Sequence, residues 1–449
     1  MIRQTPLLAA LIALLAASAA RADTVEASST TLLLLGQEPR YRGGSRPELV
    51  TVAPVFEILT ITARDIENGF SDDLRIVLST WGAIDLAERR WDAGTDGGRL
   101  TGDVTTGYVQ AKLLDRRLTL RAGRSMIATG VARMIQLDGG QAVVVVPIAR
   151  AQLSLSAYAG VPTSQRFQTR DGLKSWNPVG GTLAYGGRVA AGLPIPGVAG
   201  RGFELGASAN VVNDGGETVR QEVGADFRVQ PLRRSNLTLA GFGTFNLPEQ
   251  RVAEVSAALT TTVTSKLHVT ADFKRVEPSL LLSRDSILSV FTTSVWTELG
   301  AGATYNLGRG LHAGVDAHLR AEPGADGSGS DLGSDLRARV SWESGRTIAG
   351  LELFNLDAYA NGYFGTRVWA RRNLGKAFVT GDVLGTFFRE DVNGQGESVT
   401  GTLTAGYQLP LGFTAVLSGS AGMTPYLEQN YDLMAKLAYN QTYRTAEVR

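Results

Sequence analysis

The sequence predicts an all-β protein: a single antiparallel transmembrane β-barrel of about 18–22 strands with no separate plug domain. The first observation behind this is strict alternation of apolar and polar residues over long segments. In 311–320 the apolar set is Leu311, Ala313, Val315, Ala317 and Leu319, opposed by His312, Gly314, Asp316, His318 and Arg320. Segment 266–274 sets Leu267, Val269, Ala271 and Phe273 against Lys266, His268, Thr270, Asp272 and Lys274. Segment 336–343 does the same with Leu336, Ala338, Val340 and Trp342 against Arg337, Arg339, Ser341 and Glu343. Period-2 patterning puts one apolar and one polar face on each strand. A soluble sandwich or β-helix would also alternate, but its strands usually run about five or six residues. A strand that crosses a bilayer at a tilt needs roughly 9–11.

The second observation is the spacing of the connections. Strands are expected near 28–36, 50–63, 73–86, 99–113, 117–127, 135–147, 151–161, 181–193, 203–213, 217–229 and 235–246. They continue near 251–264, 267–276, 291–306, 311–321, 335–344, 346–356, 362–372, 376–388, 397–409, 412–422 and 429–441. Connections after even-numbered strands are mostly short, as at Leu114-Asp115-Arg116, Asn373-Leu374-Gly375 and Pro410-Leu411. Those after odd-numbered strands are often long: 162–180, 277–290, 322–334 and 389–396. Short turns at one rim and long loops at the other are the outer-membrane arrangement, with both chain ends at the periplasmic side. Residues 194–202 break the pattern by putting a longer connection on the short side. The first segment does not alternate, because Leu32, Leu33, Leu34 and Leu35 are consecutive; the wall is expected either with it or without it. About 19 residues per strand and connection leave no room for a folded plug.

The third observation is the N-terminus. Arg3 precedes an apolar run over 7–20, and Ala20-Arg21-Ala22 is a small-x-small cleavage site before Asp23. Residues 1–22 therefore have the form of a secretory signal peptide, leaving 23–449 as the barrel. The apolar run is shorter than the ~20 residues of a spanning helix.

Composition narrows the function. The 449 residues contain 53 Gly, about 12% against a usual ~7%. Lys+Arg 44 against Asp+Glu 43 gives a net charge of +1, which offers nothing to a nucleic acid. With no Cys there are no disulfides, thiolate metal sites or cysteine nucleophiles. No Gly-x-Ser-x-Gly elbow occurs, so no catalytic residues and no enzyme activity are expected. No cofactor is expected. His312, Asp316 and His318 share a face at even spacing, but the expectation is solvated imidazoles and no metal ligation.

Assigning the polar faces to a water-filled lumen gives nearly balanced charge. The residues expected to contact solute are Arg220, Glu222, Asp226, Arg228, Asp316, Arg337, Arg339 and Arg367. The same charges could brace the wall as cross-strand ion pairs. Small lumen residues such as Gly206, Ser208, Gly300, Gly302, Thr402, Thr404 and Ser420 leave space between them. The loop 162–180 is either an exposed surface loop or an inward constriction. Tyr439 and Tyr443 are expected within or near the last strand.

Together these features look like a porin-like outer-membrane barrel of a Gram-negative cell. Leu120-Arg121-Ala122-Gly123-Arg124, then Gly130, Arg133 and Leu137-Asp138-Gly139-Gly140, is similar to a stretch of alginate-export-type barrels, with Ser125 where that family tends to have Gln. The resemblance implies polysaccharide export, driven by a periplasmic export partner. The functional expectation is thus an outer-membrane pore for hydrophilic solutes, saccharides foremost. A general diffusion porin and a structural barrel anchoring a surface or motility complex are the alternatives. The partners expected are outer-membrane lipid and the solute.

Overall fold

The computed structural model describes residues 22–40, 48–66, 69–87, 100–132, 134–163, 182–194, 202–232, 236–281, 295–323, 330–357, 361–425 and 427–444. The chain winds through β1 (Ala22–Arg40), β2 (Glu48–Val52), β3 (Pro54–Ile66), β4 (Asp73–Asp85), β5 (Leu100–Leu113), β6 (Leu118–Ile127), β7 (Ile135–Ile148) and β8 (Ala151–Pro162). It continues through β9 (Leu183–Leu193), β10 (Phe203–Asp214), β11 (Glu217–Leu232), β12 (Leu237–Asn246), β13 (Arg251–Thr262), β14 (Leu267–Val276), β15 (Trp296–Gly308) and β16 (Leu311–Pro323). The last are β17 (Ser330–Ser344), β18 (Thr347–Asp357), β19 (Tyr363–Leu374), β20 (Ala377–Val392), β21 (Gln395–Gln408), β22 (Phe413–Thr424) and β23 (Leu427–Arg444). Both β2 and β3 pair antiparallel with β1, on either side of Ala53, so they are two halves of one stave. The wall therefore has 22 staves. Each consecutive pair is antiparallel, and β1 also pairs with β23 from Thr24↔Arg444 to Leu35↔Leu433. That last seam closes the barrel and leaves no free strand edge, the condition for placing a sheet in lipid.

The first segment is thus a full member of the wall. Its failure to alternate has a local cause. By register Leu32 and Leu34 share the lumen face with Phe56, Met434 and Trp81, while Leu33 and Leu35 face out. Phe56 and Trp81 pack with ring centroids 6.4 Å apart. Toward β3 and β4 the lumen wall is itself apolar, with Lys436 opposite Leu32 on the β23 side, so both faces of the strand take Leu.

Register across neighbouring strands also fixes the two faces elsewhere. Leu336, Val340, Leu351, Leu353 and Val368 point outward and are 40–54% exposed. Arg337, Arg339, Glu352 and Arg367 alternate with them toward the lumen. Outward aromatics cluster at both rims: Tyr185, Phe364, Phe387 and Tyr431 at one end, Tyr305, Trp342, Tyr407 and Tyr443 at the other. Tyr439 packs on Phe413 with centroids 4.8 Å apart. From Tyr431 to Tyr439 the strand rises roughly 26 Å, which a tilt of about 40° reduces to roughly 20 Å of height. An apolar band ~25 Å tall between two aromatic girdles is what a lipid-embedded barrel presents. Among the described residues no helix is long and apolar enough to cross a membrane.

Two connections are tighter than their composition suggests. The expected loop 389–396 is a hairpin, because β20 runs to Val392 and β21 starts at Gln395. Its turn is Asn393-Gly394, with φ of 53° and 80°, the left-handed pair that a two-residue hairpin requires. In the connection expected at 322–334, β16 runs on to Pro323 and β17 begins at Ser330. In both cases strands continue past the lipid, where their outward residues need not be apolar and the alternation disappears. In 277–290 one helical turn, Pro278–Leu281, is described. Within 162–180 and 194–202, residues 164–180 and 195–201 lie outside the described residues.

Candidate functional site

The eight predicted solute-contact residues all carry lumen-face register, but they form two patches instead of one. Arg220, Glu222, Asp226 and Arg228 lie on β11; Asp316, Arg337, Arg339 and Arg367 lie on β16, β17 and β19. Five inter-strand steps of ~4.8 Å separate β11 from β16, roughly 24 Å along the wall.

The β11 patch is a set of tight ion pairs. Arg188 on β9 donates from Nε to Asp226 Oδ2 at 2.9 Å and from Nη2 to Asp226 Oδ1 at 2.5 Å, and reaches Glu204 at 2.8 Å. Arg220 grips Glu222 at 2.9–3.0 Å, and Glu222 is wholly buried. Tyr158 donates to Asn210 at 2.8 Å beside them. Arg228 stands opposite Glu204 in register, but Glu204 is taken by Arg188.

What buries this patch is the connection between β6 and β7, which folds into the lumen instead of standing above the rim. Its single 3₁₀ turn, Gly130–Ala132, packs on the inner faces of β9, β10 and β11. The Val131 N–H donates to Ser208 Oγ at 3.0 Å, and Thr129 Oγ1 lies 3.3 Å from Ser156 Oγ. A recess of ≈ 310 Å³ remains beside the turn, between it, Arg188, Asp226 and Phe242. Sequence reading weighed an inward constriction at 162–180 and did not single out this shorter segment. The signal was available: Ala128-Thr129-Gly130-Val131-Ala132 is uncharged and small, unlike a solvated loop.

The second patch is a more open ladder. Asp316, Arg337 and Phe354 are consecutive register partners, and so are Arg339, Glu352 and Arg367. Arg337 takes Asp335 through two bonds of 3.2 and 3.0 Å. Arg367 forks onto Asp382 at 2.8 and 2.5 Å. Arg339 differs: it donates to Thr304 Oγ1 at 3.5 Å, and among the described residues no carboxylate pairs with it. A recess of ≈ 340 Å³ is lined here by Glu298, Asp316, His318, Asp335, Arg337, Arg339 and Glu352.

Sequence reading also missed the lumen aromatics, since it sorted the polar faces by charge. Phe354, Tyr363 and Phe388 meet edge to face at 6.0 and 6.2 Å. Trp369 lies over Gly350 and Phe378 over Gly406, each ring covering the flat backbone that a glycine leaves. Guanidinium groups stack on several rings: Arg121 on Tyr108 at 4.7 Å, Arg320 on Trp296 at 4.5 Å and Arg371 on Phe378 at 4.5 Å.

The 120–140 stretch takes a wall-bracing form. Arg124 is 7% exposed. Its Nε donates to Asp138 Oδ1 at 2.5 Å and its Nη2 to Asp138 Oδ2, while Nη1 reaches Asp103 at 3.4 Å and the Val104 carbonyl at 3.1 Å. Gly123, with φ of 119°, bends the strand between Arg121 and Arg124. Arg121 itself binds Gln110 at 2.8 Å.

A closed wall, an outward apolar band between aromatic girdles and a polar lumen define an outer-membrane β-barrel that is porin-like in fold. No protein-family profile and no curated protein matches the chain. Among solved structures it is similar to OpdK of Pseudomonas aeruginosa with vanillate, at 9% identity and TM-score 0.44, over 93% of this chain and 99% of that one. It is also similar to OccK2 (OpdF) of Pseudomonas aeruginosa in complex with glucuronate, at 12% identity and TM-score 0.43, over 93% and 98%. The translocation pore of the P pilus usher PapC aligns at 8% identity and TM-score 0.48, over 94% and 100%.

Proposed function

We propose that the chain is a passive outer-membrane pore whose preferred solutes are saccharides and similarly bulky hydrophilic molecules. One observation carries the reading. On the inner face of β18–β20, hydrogen-bonding charges (Glu352, Arg367, Asp382) stand beside aromatic surfaces (Phe354, Tyr363, Trp369). A sugar offers a ring of hydroxyls and an apolar C–H face, and such a wall meets both. The balanced ladder has no single-sign field to select small ions. The resemblance to export barrels rests on the 120–140 stretch, whose arginines here hold the wall together. The proposal is therefore passage through a polar lumen, with no direction and no periplasmic partner assigned.

The test is single-channel conductance of the purified barrel in a planar bilayer, with maltohexaose added to one side. Stepwise conductance with sugar-dependent blockade, weakened by Trp369→Ala and by Arg367→Ala, is the expected result. Conductance unaffected by any oligosaccharide would remove the saccharide preference and leave a general diffusion pore. An inserted but silent barrel would overturn the pore itself and favour a structural platform.

A further inference from the structure

We propose that Asp272, Glu298 and His318 form a binding site for a divalent transition-metal ion, with zinc as the best-matched ion, on the lumen wall. The three residues come from adjacent strands, β14, β15 and β16. Their ligand atoms all lie within 4.8 Å of one another, and His318 Nε2 is 3.4 Å from Asp272 Oδ1.

Two features of the wall set this group apart from a solvated cluster. The first is the gap that lets the ligands meet. Asp272, Gly300 and His318 are consecutive register partners, with glycine in the middle. A Cβ on Gly300 would collide with both the His318 ring and the Asp272 carboxylate. Any other residue there would hold the two side chains apart.

The second is where Glu298 points. Its register partners are Lys274 and Arg320, one on each side. Either could neutralise it, yet neither does. Lys274 lies 3.9 Å from Glu254 and over Trp296, while Arg320 binds Glu322 at 2.6 Å and stacks on the same Trp296. Glu298 instead brings its carboxylate to that of Asp272, a like charge. Two carboxylates that converge past available cations leave a place for a positive ion between them.

The donor set selects the ion class. One imidazole nitrogen with two carboxylate oxygens suits zinc and its neighbours, whereas calcium and magnesium favour all-oxygen shells. The open lumen can supply water for the remaining positions. Imidazole binds a metal only through a nitrogen that carries no proton, so protons and the ion compete for the same site.

The inference is independent of the solute reading, and its test needs no transport. The full chain, refolded in detergent without a histidine tag, is titrated with zinc chloride by calorimetry at pH 7.4. Heat-modifiable gel migration confirms that each variant is folded. One zinc per chain is expected, with His318→Ala and Asp272→Asn each weakening it by at least about tenfold. His312→Ala, on the same strand but outside the group, should bind as the parent does. Cobalt should give a visible absorption band in the parent that His318→Ala loses. Absence of zinc binding at millimolar concentration would overturn the proposal. So would binding that survives His318→Ala, or calcium bound as tightly as zinc.

Discussion

Val131 lies directly over Gly224, with its Cγ1 occupying the place where a side chain on Gly224 would begin. This contact seats the inward-folded connection on the inner face of β11. Val131→Asp should expel the turn and widen the pore while leaving the wall intact, because it puts a charge where Val131 is 4% exposed. Single-channel recordings should show larger conductance, and limited proteolysis should show new cleavage near residue 130. Ser208→Ala removes one hydrogen bond, worth about 1 kcal/mol. It should produce brief openings to the same larger level.

Arg124 is shut away from water together with Asp103, while the Asp138 carboxylate it grips by two bonds is 41% exposed. Arg124→Ala leaves two carboxylates without their cation, and such a loss costs about 3–5 kcal/mol. Urea-dependent unfolding in vesicles should show it. Arg124→Lys should recover only part, because an ammonium cannot reproduce the fork.

Leu351 faces lipid midway between the girdles, and Glu352 faces the lumen one residue on. Leu351→Arg should lower stability by about 2–4 kcal/mol in the same assay. Glu352→Gln should change it by less than about 1 kcal/mol.

Among the described residues, Arg339 is the ladder cation to which no carboxylate is bound. Arg339→Glu should therefore move the reversal potential in a potassium chloride gradient toward cation preference. The shift should be clear at 0.1 M salt and fade at 1 M, where the screening length falls from ~10 Å to ~3 Å.

We also propose that residues 1–22 are removed during secretion. N-terminal sequencing of outer-membrane material should then begin at Asp23, and a start at Met1 would show that the leader is retained.

The wall was legible because lipid and water impose opposite demands on alternate residues. The pattern Leu336, Arg337, Ala338, Arg339, Val340 records both faces at once. It failed where those demands relax. At Leu32–Leu35 the lumen is apolar too, and at Asn393-Gly394 the strands have already left the membrane. The site was harder to read, because side-chain partnership depends on register between strands distant in sequence. Nothing local tells that Arg188 will take Asp226 and Glu204 while Arg339 takes neither Asp316 nor Glu352. The turn at Gly130–Ala132 was legible in principle from its lack of charge, since a loop without charge is one that finds a surface to cover.

The seam between β1 and β23 has a consequence for how the molecule is made. The first and last staves to be synthesised are each other's neighbours, so the cylinder can be completed only after the C-terminal stave has been delivered. Until then two long ribbons of unpaired amides and carbonyls must be kept from every other strand in the periplasm. Loss of β23 would leave those ribbons permanently open, and the expected product is aggregate, not a smaller pore.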